Sequence, residues 1–92
     1  VSIEEEENNV LSIYPNPATD HIFLQINTSE EEDMLIEFFS IEGQRIYQEE
    51  ITAKDKALGK ARSIFVSDFA KGIYLVKLTT KTKLYQQKIV LQ

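Results

Sequence analysis

The sequence predicts an all-β fold, a seven-stranded immunoglobulin-like antiparallel β-sandwich. Three observations support it. Apolar residues alternate with polar ones in short runs, the period of two that a half-buried strand requires, and nowhere keep the 3.6-residue period of a helix. Turn-forming residues interrupt these runs at the spacing of about 8–12 residues typical of sandwich domains. The 92-residue chain has no cysteine and no tryptophan. No disulfide can therefore staple it, and strand packing alone must supply the core.

The first strand is Val10–Tyr14, and Pro15-Asn16-Pro17 ends it by removing two backbone donors and pushing Tyr14 and Asn16 toward extended conformations. Ile22–Asn27 follows, with Ile22, Leu24 and Ile26 on one face. The acidic run Glu30–Asp33 reads as a solvated loop before Met34–Ile41, where Ile36 and Phe38 share a face. Glu42-Gly43 suits a tight hairpin into Gln44–Ile51, with Gly43 supplying positive φ. Ala53–Lys60 is the longest connection, and Ser63–Val66 is the fifth strand. Lys71-Gly72 is a turn before Ile73–Thr79, in which Tyr74, Val76 and Leu78 are in phase. Lys81-Thr82-Lys83 joins it to Leu84–Leu91, where Tyr85, Ile89 and Leu91 share a face. The expected core is Ile22, Leu24, Ile26, Ile36, Phe38, Ile64, Val66, Tyr74, Val76 and Leu78. A small closed barrel is the other arrangement that so many short strands allow.

The length allows one domain, which buries roughly 60–65% of the surface exposed by its unfolded chain. A composition 42% hydrophobic and 27% charged argues against disorder. Residues 1–9 are acidic and aperiodic and read as a linker tail, leaving residues 10–92 as the folded domain. The net charge of −5 argues against a nucleic-acid partner. Charge is unevenly spread, −12 over residues 1–50 and +7 over residues 51–92. Either the interleaved halves attract each other, or the surface is dipolar and meets a partner. No apolar stretch approaches the roughly 18–20 residues of a membrane helix. The beginning lacks a secretory signal pattern and does not start with methionine, so a fragment of a longer product is expected.

Chemistry has little to work with. His21 is the only histidine and there is no cysteine, so neither a structural zinc site nor a catalytic triad is expected, and His21 reads as an exposed turn residue. The carboxylates of Glu4–Glu7 and Glu30–Asp33 have few apolar neighbours to raise a pKa for glycosidase chemistry. Glu30–Asp33 lacks the spaced ligands of a dedicated calcium loop, and whether it holds calcium stays open. Three glycines form no phosphate cradle. The domain is expected to be no enzyme and to need no cofactor.

Three segments together carry a resemblance. Leu11-Ser12-Ile13-Tyr14-Pro15-Asn16-Pro17-Ala18 is similar to the YPNPA opening of the type A C-terminal sorting domains of the type IX (Por) secretion system of Bacteroidetes. Phe38-Phe39-Ser40-Ile41-Glu42-Gly43-Gln44-Arg45-Ile46 resembles that family's glycine hairpin, with Ser40 where the family often has Asp. Val66-Ser67-Asp68-Phe69-Ala70-Lys71-Gly72-Ile73-Tyr74-Leu75-Val76-Lys77-Leu78 resembles its G-x-Y strand, with Phe69 where Leu is common, and Gln87–Gln92 resembles its last strand. The resemblance spans residues 10–92 in order. It singles out Pro15, Asn16, Pro17, Gly43, Gly72 and Tyr74. Each also has a purely structural reading: prolines at a strand end, glycines at positive φ, and Tyr74 as a tyrosine corner bonding upstream backbone.

The resemblance implies a non-catalytic secretion signal for a covalently attached upstream cargo. The cargo would fold in the periplasm, pass the outer-membrane translocon, and be cut by a cell-surface sortase in or before Val1–Asn9. It would end at the cell surface or outside the cell. The last strand, with Lys88, Ile89, Val90, Leu91 and Gln92 sterically available at its end, is the expected recognition terminus. Exposed strand edges are also compatible with a weak homodimer. The competing class is an immunoglobulin-like accessory binding or adhesion module. Sugar binding wants an exposed aromatic platform, whereas the Tyr and Phe residues here are expected mostly at core phases.

Overall fold

A computed structural model describes residues 4–5, 10–27, 32–52 and 61–92, which form eight strands and no helix. They are β1 (Glu4–Glu5), β2 (Leu11–Tyr14), β3 (His21–Ile26), β4 (Met34–Ser40), β5 (Arg45–Ile51), β6 (Ala61–Phe65), β7 (Gly72–Thr79) and β8 (Lys83–Leu91). The larger sheet has the order β1-β8-β7-β4-β5 and the smaller the order β2-β3-β6. The seven longer strands pair antiparallel, in sheets of four and three. The result is the expected sandwich, with two ladders rather than one closed barrel. Within residues 1–9, Glu4–Glu5 pair in parallel with Lys83–Leu84, an added pairing that the sequence pattern does not announce. Ala53–Lys60 lies outside the described residues.

Alternation explains the core. In β3 each of Ile22, Leu24 and Ile26 is buried while His21, Phe23 and Gln25 face outward. All ten residues expected inside are buried, joined by Leu11, Ile13, Ala18, Met34, Ile51, Tyr85, Ile89 and Leu91. Each fully buried Leu or Ile contributes about 1.5–3 kcal/mol over its exposed state. Phe38 lies at the centre, edge-on to Tyr47 and Phe69 with ring centroids 5.2 and 5.9 Å away.

The turns do what their residues suggest. Gly43 has φ +91° and donates its N–H to the Ser40 carbonyl at 2.9 Å. The β4–β5 register slips between Phe38 and Phe39, which pair with Tyr47 and Arg45, so Ile46 is the bulged residue. Buried Thr80 closes the β7–β8 hairpin, its Oγ1 accepting the Lys83 N–H at 3.0 Å.

The β5–β6 side of the sandwich is closed by a polar bridge. The Arg62 guanidinium donates to Glu49 Oε2 at 2.9 and 2.5 Å, and the Tyr47 hydroxyl donates to Glu49 Oε1 at 2.8 Å. Burial alone would raise the Glu49 pKa, but the bonds from Arg62 and Tyr47 and the charge of Arg62 outweigh it and leave the carboxyl lowered. Tyr47 is raised, first by burial and then by its bond to the Glu49 carboxylate.

Candidate functional site

The motif positions, scattered over the sequence, come to one end of the larger sheet. Strand register sets the order. Gly72, Ile73, Tyr74 and Leu75 stand opposite Leu91, Val90, Ile89 and Lys88. On their other side, Leu75 and Tyr74 stand opposite Phe39 and Ser40, where the Gly43 hairpin begins. Across β8 from β7 lies the Pro15–Ala18 segment.

That segment clips the last strand. Both Tyr14-Pro15 and Asn16-Pro17 peptide bonds are cis. The Asn16 amide reaches across and makes two bonds to strand backbone: Nδ2 donates to the Lys88 carbonyl at 3.1 Å, and Oδ1 accepts the Val90 N–H at 3.0 Å. Ala18 continues the ladder. Its N–H donates to the Val90 carbonyl at 2.9 Å, and its carbonyl accepts the Gln92 N–H at 2.7 Å, a one-residue parallel bridge to Leu91. Proline can stand at 15 and 17 because the clip uses the N–H groups of neither.

The expectation that the last strand is sterically available needs correction. Leu91 is buried, and the outer edge of residues 88–92 already has Asn16 and Ala18 as partners. A strand cannot be added there without displacing them.

Tyr74 is a tyrosine corner. Its ring is buried, and its hydroxyl donates to the Ala70 carbonyl, closing the loop that leads into β7. Gly72 starts that strand at φ +146°, a conformation L side chains rarely adopt.

Several aromatic residues do not take the core phase expected of them. Tyr14, Phe23 and Phe65 face outward on the smaller sheet, and Phe65 is 76% exposed. His21, read from the sequence as a turn residue, opens β3 and lies 5.0 Å from the Phe23 ring and 6.3 Å from that of Phe65. The reason is visible in Ile22-Phe23-Leu24: with Ile22 and Leu24 inside, strand alternation turns Phe23 to the other face. Ile41 and Ile73 are likewise exposed, at the hairpin end of the larger sheet.

Of the Glu30–Asp33 run, only Glu32 and Asp33 fall within the described residues, and among those residues no group of three metal-ligating side chains comes together. What the arrangement offers is surface: a backbone clip, a hydroxyl corner and two outward apolar faces. A family model described as a secretion system C-terminal sorting domain matches residues 12–92. No curated protein matches the chain.

Proposed function

The chain belongs to the secretion system C-terminal sorting domain family, and from that premise we propose how its fold serves as a signal. Membership makes it a non-catalytic secretion signal for a cargo exported by the type IX system, secreted or displayed at the cell surface. In our reading the cargo is joined ahead of the linker of residues 1–9, folds in the periplasm, and is carried through the outer-membrane translocon by the domain of residues 10–92. A cell-surface sortase then cuts in or before this acidic, aperiodic segment, at a bond other than those of Glu4–Glu5, which are paired with β8.

The observation that carries this reading is the convergence of the Pro15–Ala18 and G-x-Y segments on Lys88–Gln92, with the glycine hairpin one strand further, across β7. Asn16 bonds to the strand from one side, and Gly72 and Tyr74 lie in register on the other. The signal is therefore a folded assembly in which Pro15, Asn16, Pro17, Gly72 and Tyr74 fix the terminal strand and Gly43 turns the hairpin on the far side of β7. The test is a fluorescent reporter fused ahead of the full chain in a bacterium carrying the type IX system. Asn16→Ala is expected to lower surface delivery and leave reporter in the periplasm. Normal delivery by Asn16→Ala would exclude the clip from the signal.

One observation favours the accessory-module reading, namely the outward cluster of Tyr14, His21, Phe23 and Phe65. Retardation of the chain in gels containing soluble polysaccharide, lost in Phe65→Ser, would support it.

A further inference from the structure

The groove on the outer face of the larger sheet is lined by Phe39, Ile41, Ile73 and Leu75 and flanked by Lys77 and Lys88, with a volume of about 490 Å³. None of these six side chains is among the buried core. Yet Phe39 and Ile41 come from the glycine-hairpin segment, Ile73, Leu75 and Lys77 from the G-x-Y segment, and Lys88 from the last strand. The inward residues of those segments are explained by packing, whereas these outward ones are not. Ile41 is 72% exposed and Ile73 41%, side by side with half-buried Phe39 and Leu75, which makes a contiguous apolar patch of the kind that marks interaction sites.

The charged side chains that line the groove are both lysines, while Glu42 and Asp68 stand beyond it, on the other side of Ile41 and Ile73. Glu37 stands opposite Lys77 in the ladder, but its carboxylate accepts from Arg45 at 3.2 Å. The Lys77 ammonium instead lies over the Phe39 ring, 4.8 Å from its centroid. Among the described residues neither Lys77 nor Lys88 has a carboxylate partner. The complement of this surface is a segment that brings apolar side chains to the groove floor and carboxylates to its rim. A protein fits this better than an anionic membrane, because the chain carries a net charge of −5 and two lysines attract such a surface only weakly.

We propose that this groove, rather than the clipped edge of β8, is the surface on which the export machinery docks, through an apolar segment bracketed by acidic residues. The inference rests on the sorting-signal reading. It assigns recognition to side chains on a sheet face, with the backbone clip holding Lys88 in place.

The test uses the full chain behind the same reporter, with surface delivery and melting temperature both measured. Lys77→Glu with Lys88→Glu is expected to cut delivery about tenfold, as like charges meet across the interface, with an unchanged melting temperature. The paired Lys→Arg variant is expected to keep delivery. Ile41→Ser with Ile73→Ser is expected to lose it, and Tyr14→Ser with Phe65→Ser, on the opposite face, to keep it. Normal delivery by the Glu pair overturns the proposal, and loss confined to the Tyr14–Phe65 pair moves recognition to the smaller sheet and overturns it too. Binding of the unaltered chain to phosphatidylglycerol vesicles, abolished in the Glu pair, would replace the protein partner by a membrane. Failure of the unaltered chain to deliver any reporter is distinguishable from all of these, and removes the sorting reading and this inference together.

Discussion

Asn16 does more than end a strand: one side chain bonds both an acceptor and a donor of residues 72 and 74 positions away. Asn16→Ala leaves the Lys88 carbonyl and the Val90 N–H to water and is expected to cost about 1–2 kcal/mol in chemical denaturation, since both bonds are solvent-exposed. Asn16→Asp keeps an acceptor for Val90 but loses the donor, and should fall between. Tyr74→Phe isolates the corner hydroxyl and is expected to cost about 1 kcal/mol, whereas Tyr74→Ala also empties a core site and should cost about 3–5 kcal/mol. Glu49 sets a pH dependence of known sign. Its folded pKa lies below its ordinary value of 4.5, so the bridge stabilises fully above that value and its contribution is lost as pH falls through the folded pKa. Tyr47 closes the window from the other side: its raised pKa makes the fold lose stability as pH climbs past its ordinary 10.0. Glu49→Gln should flatten the acid limb of a melting-temperature profile, and an acid limb identical to that of the parent would show that other carboxylates set it.

At the scale of elements, β8 is the strand with three separate backbone partners. It pairs with β7 along its length, with β1 at Lys83–Leu84 and with the Pro15–Ala18 segment at its other end, and it buries Tyr85, Ile89 and Leu91. Deleting residues 88–92 removes two of those core side chains and half the clip. The chain is expected to unfold outright, lacking strand signal in far-UV circular dichroism, because about 5–10 kcal/mol is all that so small a domain has. The strands and their inward residues were legible because alternation reports burial directly, as in Ile22, Leu24 and Ile26 or Tyr74, Val76 and Leu78. The motif residues were legible too, but not their meeting. Nothing local in Tyr-Pro-Asn-Pro-Ala says that Asn16 and Ala18 will partner Lys88–Gln92, since that contact depends on how the two sheets are joined. The slip at Phe38–Phe39 was hidden because a bulge breaks the period that reveals a strand, whereas the outward Phe23 and Phe65 follow from the same alternation that puts Ile22, Leu24 and Ile64 inside.

For the molecule as a whole, both sheets contribute to a single core, with 18 buried apolar residues among the described ones. Near-UV and far-UV signals should therefore melt in one coincident transition, and two separated transitions would mean that the sheets fold independently. The charge halves noted in the sequence meet at the Glu49–Arg62 bridge, one acid from residues 1–50 and one base from residues 51–92, so part of that asymmetry is internal attraction. Lys77 and Lys88 show the other part, left facing outward. The clip has a consequence in time. A ribosome delivers Asn16 early and β8 after every other described strand, so the surface that carries Lys88 exists only once translation has passed it and both sheets have closed. A truncated or stalled chain displays no surface of this kind. On the docking proposal the domain would thus act as a checkpoint as well as an address, admitting to export only molecules in which β8 has been made and both sheets have closed.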